Sequence, residues 1–196
     1  MKLMKRSLKF FLTLLVFLSF LFLITFSIGN EKVFLFINKE LANPVLDFIV
    51  LYVFNPLFLL LAIVPFLMVF SKKDRLLGIF ALISGFLCYF IGYLMKALFA
   101  IPRPYEFLPA RLFGPWHTSS FSFPSTTTML AFGLALPILL KKPRWGRFLL
   151  VLAFLVAFSV IYTGFHTLYD VLAGILISSF FVFFFNKFYP INFNGF

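Results

Sequence analysis

The chain has 196 residues, 63% of them hydrophobic and 34 of them Phe, with a formal net charge of +11. Soluble domains average about 45–50% apolar residues, so a water-soluble globular fold is excluded by the apolar surface it would have to hide. The single cysteine, Cys88, rules out an intrachain disulfide, and two histidines, His117 and His166, leave no Cys/His cluster for a metal ion.

Repeated apolar runs predict membrane-crossing helices, because about 20 residues span about 30 Å of hydrocarbon. The expected architecture is all-α and integral to the membrane, with six transmembrane helices in one domain and no internal repeat. The first span, about 8–28, follows the basic start MKLMKRSLK. It is too long for a signal peptide and is followed by no small-residue cleavage site, so it reads as an uncleaved anchor. The stretch NEKVFLFINKELANPVLDF is too charged to cross and predicts a surface helix over about 31–43, ended near Asn43-Pro44. Residues 45–54 read as a second short helix at the membrane face. Further spans are expected at about 56–70, with a start reaching back into FIVLYVF, and at 76–99. A proline-rich loop over 100–123 resists regular structure. The last three spans are expected at about 125–140, 148–165 and 171–185, with KKPRWGR as a basic turn after the fourth.

The charges sort by side. Lys2, Lys5, Arg6 and Lys9, the turn SKKDR, the turn KKPRWGR and Lys187 carry the whole net charge of +11, while the charges of the opposite loops cancel. This asymmetry predicts both termini in the cytoplasm and the remaining loops on the outer face. The basic excess is then a topology signal and a contact for anionic lipid headgroups, with no nucleic-acid partner implied.

Three clusters fall on the predicted outer side. In KALFAIPRP, Lys96 is either a snorkelling helix-end lysine or part of a site, and Arg103 and Arg111 are either solvated or functional. In FPSTTTML, Ser125 suits a helix N-cap, and a helix N-terminus also binds anions. In SVIYTGFHTLYD, His166 and Asp170 are four apart; on a helix they would share a face, so that the carboxylate orients the imidazole and leaves its other nitrogen free. Lysine, arginine, a helix N-terminus and a His–Asp pair at one membrane face suit a tetrahedral phosphate attacked by a nitrogen nucleophile.

With these residues in place the chain resembles the type 2 phosphatidic acid phosphatase (PAP2) superfamily of membrane lipid phosphatases, related to vanadium haloperoxidases. The family pattern is Lys-six residues-Arg-Pro, then Pro-Ser-Gly-His, then Ser-Arg-five residues-His-three residues-Asp. Lys96, Arg103 and Pro104 match the first part, Pro124 and Ser125 the start of the second, and Ser159, His166 and Asp170 the third, over a region of about 76–177. The resemblance implies a bundle of the PAP2 type with an outward-facing phosphate site. It further implies a lipid phosphate or diphosphate substrate, a phosphohistidine intermediate at His166 oriented by Asp170, phosphate binding by Lys96, Arg103 and Ser125, no metal or other cofactor, and a bacterial plasma-membrane location.

Two positions depart from the pattern. Thr127 stands where the family has its second histidine, and Val160 where it has an arginine. In the family the first protonates the leaving oxygen and the second holds phosphoryl oxygens. Three readings stay open. The chain is a lipid phosphatase impaired at these positions. Or it is active, with His117 as substitute acid or a diphosphate substrate that needs none. Or it is a lipid-binding or transport protein that keeps the fold.

Overall fold

A computed structural model describes residues 2–114 and 121–188, all of them in helices or connecting loops. Helix α1 is Lys2–Ile28, and α2 is Asn30–Leu35, continued by a π-helical turn Phe36–Glu40. Helix α3 (Pro44–Ile49), a second π-helical stretch (Val50–Phe54) and α4 (Asn55–Val69) run on from one another without a break. Then come α5 (Arg75–Phe99), the single turn α6 (Pro104–Phe107), α7 (Thr126–Lys141), α8 (Pro143–Tyr162) and α9 (Leu168–Phe188).

The protein is an all-α membrane bundle. Five helical segments are long and apolar enough to cross a bilayer: 8–28, 44–69, 75–107, 143–162 and 168–186. The sixth apolar helix, α7, has only 16 residues, about 24 Å at 1.5 Å per residue. Its shortness fits its place, since it is the axis of the bundle. Nearly all of its residues, from Thr128 through Leu139, are buried, and α5, α8, α9 and α4 surround it. The α5–α7 crossing is close because both helices are small there. A Cβ on Gly133 would stand 2.8 Å from the Cα of Gly85 and 3.0 Å from the carbonyl oxygen of Ser84, and such small-residue contacts let membrane helices pack backbone to backbone. Helix α1 stands outside, held by Phe11 stacked on Phe183 at 4.8 Å and Phe22 on Tyr169 at 5.1 Å.

Several boundaries differ from expectation. Residues 45–54 are not a separate surface helix. They are the first part of one helical segment, 44–69, which also absorbs the span expected at 56–70. Pro44 sits in the first turn of the segment, where a missing N–H costs nothing, whereas Pro56 lies inside it, just after the π-helical stretch Val50–Phe54. The expected surface helix of 31–43 begins at Asn30 and ends at Glu40; Asn43 instead caps the next helix, its Oδ1 accepting from Leu46 N at 2.9 Å. Although this segment is too charged to cross, it buries Phe34 and Asn38 completely. The basic turn KKPRWGR shrinks to one residue, Lys142, because Pro143 opens α8, so the fifth span starts five residues before the expected 148. Lys142 forms an ion pair with Asp74, which brings the two basic turns together at one end of the bundle. The phosphate-motif residues lie at the other end.

Candidate functional site

The site is assembled from four helix ends and a loop. Helix α8 stops in a Schellman motif: Gly164 N donates to Ile161 O at 3.0 Å and Phe165 N to Val160 O at 3.1 Å. Gly164 has φ +94°, and a Cβ there would meet the carbonyl oxygen of Arg111 at 2.5 Å, so only glycine fits this turn. The turn delivers His166 into the bundle, where it is 3% exposed. Helix α9 then begins with a capping box, in which Thr167 N donates to Asp170 Oδ2 at 2.7 Å and Asp170 N to Thr167 Oγ1 at 3.4 Å. The His166–Asp170 pair is therefore not two positions on a helix face, as their spacing suggested. The histidine precedes the helix and the aspartate belongs to its first turn.

The two side chains do not bond directly. His166 Nδ1 is 3.7 Å from Asp170 Oδ2. Between them stands Ser122, whose Oγ donates to Asp170 Oδ2 at 2.7 Å and lies 3.3 Å from His166 Nδ1. Since the hydroxyl hydrogen is committed to the carboxylate, its oxygen is left to accept from Nδ1–H. The network thus favours the tautomer with an unprotonated Nε2, which is 3.5 Å from an Arg103 guanidinium nitrogen. Burial, the largest effect, pushes the His166 pKa down to about 4; Asp170 opposes that shift, and Lys96 and Arg103 reinforce it. The imidazole is accordingly neutral, as a nucleophile must be.

Arg103 is 4% exposed, donates to Phe165 O at 3.0 Å and lies over the Phe165 ring at 5.5 Å. Lys96, at the end of α5, is 3% exposed and donates to the carbonyl of Phe121 and, at 2.8 Å, to that of Ser122. It holds the backbone that carries the bridging serine. Ser125 caps α7, accepting from Thr128 Oγ1 at 2.9 Å and Thr128 N at 3.4 Å, while its own N–H donates to Asp170 O at 3.1 Å. The start of α7 is thereby tied to the start of α9.

A cavity of about 630 Å³ opens beside these groups. Arg103, His166, Ser159, Thr163 and the first turn of α7, through Thr126 and Thr127, form its polar wall; Leu51, Phe58, Leu59, Tyr89 and Leu130 form an apolar one. Helix-start N–H groups lack intrahelical partners and favour anions, so the polar wall suits phosphate. Lys96, Ser125 and Asp170 are not on the wall but behind it. Both departing positions, Thr127 and Val160, line the cavity. His117 and Trp116 lie outside the described residues. Arg111 is away from the cavity; it forms a two-point ion pair with Asp47 at 2.7 and 2.8 Å, and Tyr162 also donates to Asp47, at 2.6 Å. Ser122 went unread because it belongs to no motif; its only signal was its place just before Pro124 in the loop facing the His–Asp segment.

The comparisons agree with this architecture. A model of the PAP2 superfamily matches residues 76–193. A Bacillus licheniformis protein named bacitracin transport permease protein BcrC is 36% identical over 167 residues, 81% of this chain and 81% of that one. An undecaprenyl-diphosphatase of Sulfolobus acidocaldarius is 34% identical over 115 residues, 58% of this chain and 55% of that protein. The crystal structure of Aquifex aeolicus LpxE superposes with a TM-score of 0.62 at 27% identity, covering 80% of this chain and 93% of that one.

Proposed function

The chain belongs to the PAP2 superfamily of membrane lipid phosphatases, and we propose that it hydrolyses a polyprenyl diphosphate at the outer membrane face, slowly, through a phosphohistidine at His166. The observation that carries this reading is the neutral His166 Nε2 at the cavity wall beside Arg103, with Nδ1 held through Ser122 to Asp170. Nε2 attacks the terminal phosphorus, and the bond from that phosphorus to the bridging oxygen breaks. The lipid monophosphate leaves with the electron pair. Arg103 and the first turn of α7 face the phosphoryl oxygens, and Lys96 and Ser125 support them from behind. Water then attacks the phosphohistidine, releasing inorganic phosphate and restoring the imidazole.

A diphosphate is favoured over a monoester by the two departing positions. Thr127 cannot donate a proton near neutral pH. An alkoxide leaving group needs one, whereas a phosphate, whose second pKa is about 6, leaves as an anion. Among the relatives, the undecaprenyl-diphosphatase has a substrate of this class, and the apolar cavity wall is suited to the first isoprene units. The charge asymmetry of the loops supports cytoplasmic termini and an outward site in the plasma membrane. Phosphate release from a panel of undecaprenyl diphosphate, phosphatidic acid and phosphatidylglycerol phosphate tests the proposal. The diphosphate is expected to turn over fastest; equal or faster turnover of a monoester would contradict it.

A further inference from the structure

One polar group on the cavity wall has no task in the chemistry above. Asn55, the first residue of α4, lines the cavity together with Arg103, Thr127, Val160 and His166. Its Nδ2 is buried and, among the described residues, has no hydrogen-bond partner. Asp47, on the same helical segment, is by contrast engaged by Arg111 and Tyr162. A carboxamide inside a membrane-spanning segment is costly unless its N–H groups meet an acceptor. The backbone around it is also irregular. The π-helical stretch Val50–Phe54 comes just before Asn55, and Pro56, which gives no N–H to the helix, comes just after. Such wide turns concentrate at functional sites. Helix α4 packs against α8, the helix whose Val160 leaves the cavity without a second cation.

We propose that Asn55 is a phosphate-binding residue, its carboxamide N–H donating to a non-bridging oxygen of the bound diphosphate and supplying part of the anion binding that Val160 cannot. This rests on the diphosphate reading of the site. A neutral amide neutralises no charge, but its hydrogen bond to an anionic oxygen sets how tightly the headgroup is held. Removing a hydrogen bond to a charged partner weakens binding roughly 10- to 100-fold.

The test is calorimetric titration of the detergent-purified full chain with inorganic pyrophosphate and with farnesyl diphosphate. The wild type is expected to bind both. Asn55→Leu and Asn55→Asp are each expected to weaken binding at least roughly 10-fold, the aspartate more because it adds a like charge. Val160→Arg placed in the Asn55→Leu background is expected to restore the affinity, with a larger gain than the same substitution gives in the wild type, because the two positions share one anion. Wild-type affinity in both Asn55 variants overturns the inference while leaving the diphosphate site standing. So does a loss that Val160→Arg fails to restore, which would assign Asn55 to the cavity's fold. A folded wild type that binds neither probe removes the diphosphate reading and the inference with it. Asn55→Asp is nearly isosteric, so it decides the matter where the leucine variant does not fold.

Discussion

Replacing Thr127 by histidine and Val160 by arginine should raise the rate of lipid-phosphate hydrolysis under the proposed mechanism, by an amount set by the two groups restored. Both positions line the 630 Å³ cavity that also holds Arg103 and His166, so the larger side chains extend into open space. A positioned general acid contributes about 10²–10⁴-fold, and a charge-stabilising donor about 10²–10³-fold. Groups that act on one transition state are strongly non-additive, so the lower bound for the double variant on a monoester is about 10²-fold. The single variants separate the two effects. Thr127→His should raise monoester turnover by about 10²-fold or more, yet barely change diphosphate turnover, because only the alkoxide needs its proton. Val160→Arg should raise both. The assay is phosphate release in detergent micelles, with thermal unfolding run alongside to confirm that each variant is folded. A folded double variant with no gain on any lipid would refute the reasoning.

Three further outcomes are expected. His166 is held neutral by burial, with its pKa near 4 against an ordinary value of 6.5; between those pH values the unfolded chain takes up a proton that the folded one does not. Stability is therefore full above pH 6.5 and falls on acidification, by about 3 kcal/mol in total. Melting temperatures at pH 7.5 and 5.0 should drop less for His166→Gln than for wild type, and an equal drop would contradict the burial argument. Ser122→Ala removes both the donor to Asp170 and the acceptor for His166 Nδ1, and should lower turnover roughly 10-fold or more; unchanged turnover would leave the serine outside the machinery. For topology, cysteines at Leu112 and Arg144, both exposed, should react with an impermeant reagent from outside the cell only at Leu112. Cys88 is buried and gives a silent background; labelling at Arg144 instead would reverse the orientation.

Much of the bundle was legible because apolar length is a local signal. Helix α5 runs from Arg75 to Phe99, one residue from the expected start, and Ser125 caps α7 where FPSTTT pointed. Errors came where one signal has two physical meanings. Pro56 marks the start of a span by its sequence, yet it lies well inside the continuous segment 44–69, and Pro143, placed by sequence in a basic turn, opens α8, where a missing N–H is harmless. The four-residue spacing of His166 and Asp170 suggested a helix face, and the chain produced it with a Schellman turn followed by a capping box. Ser122 and Asn55 were invisible for another reason. Their roles depend on contacts across 48 residues of chain in one case, and on a shared cavity wall in the other. Neither leaves a mark in local pattern.

The central claim is that His166 is the nucleophile of a working site. It is tested most directly by the rate of phosphate release from undecaprenyl diphosphate by wild type and by His166→Ala, purified and assayed side by side. Measurable wild-type release is expected, with a fall of at least about 10³-fold in the variant, as when a covalent nucleophile is removed. Equal rates in the two proteins, whether both substantial or both nil, would contradict it.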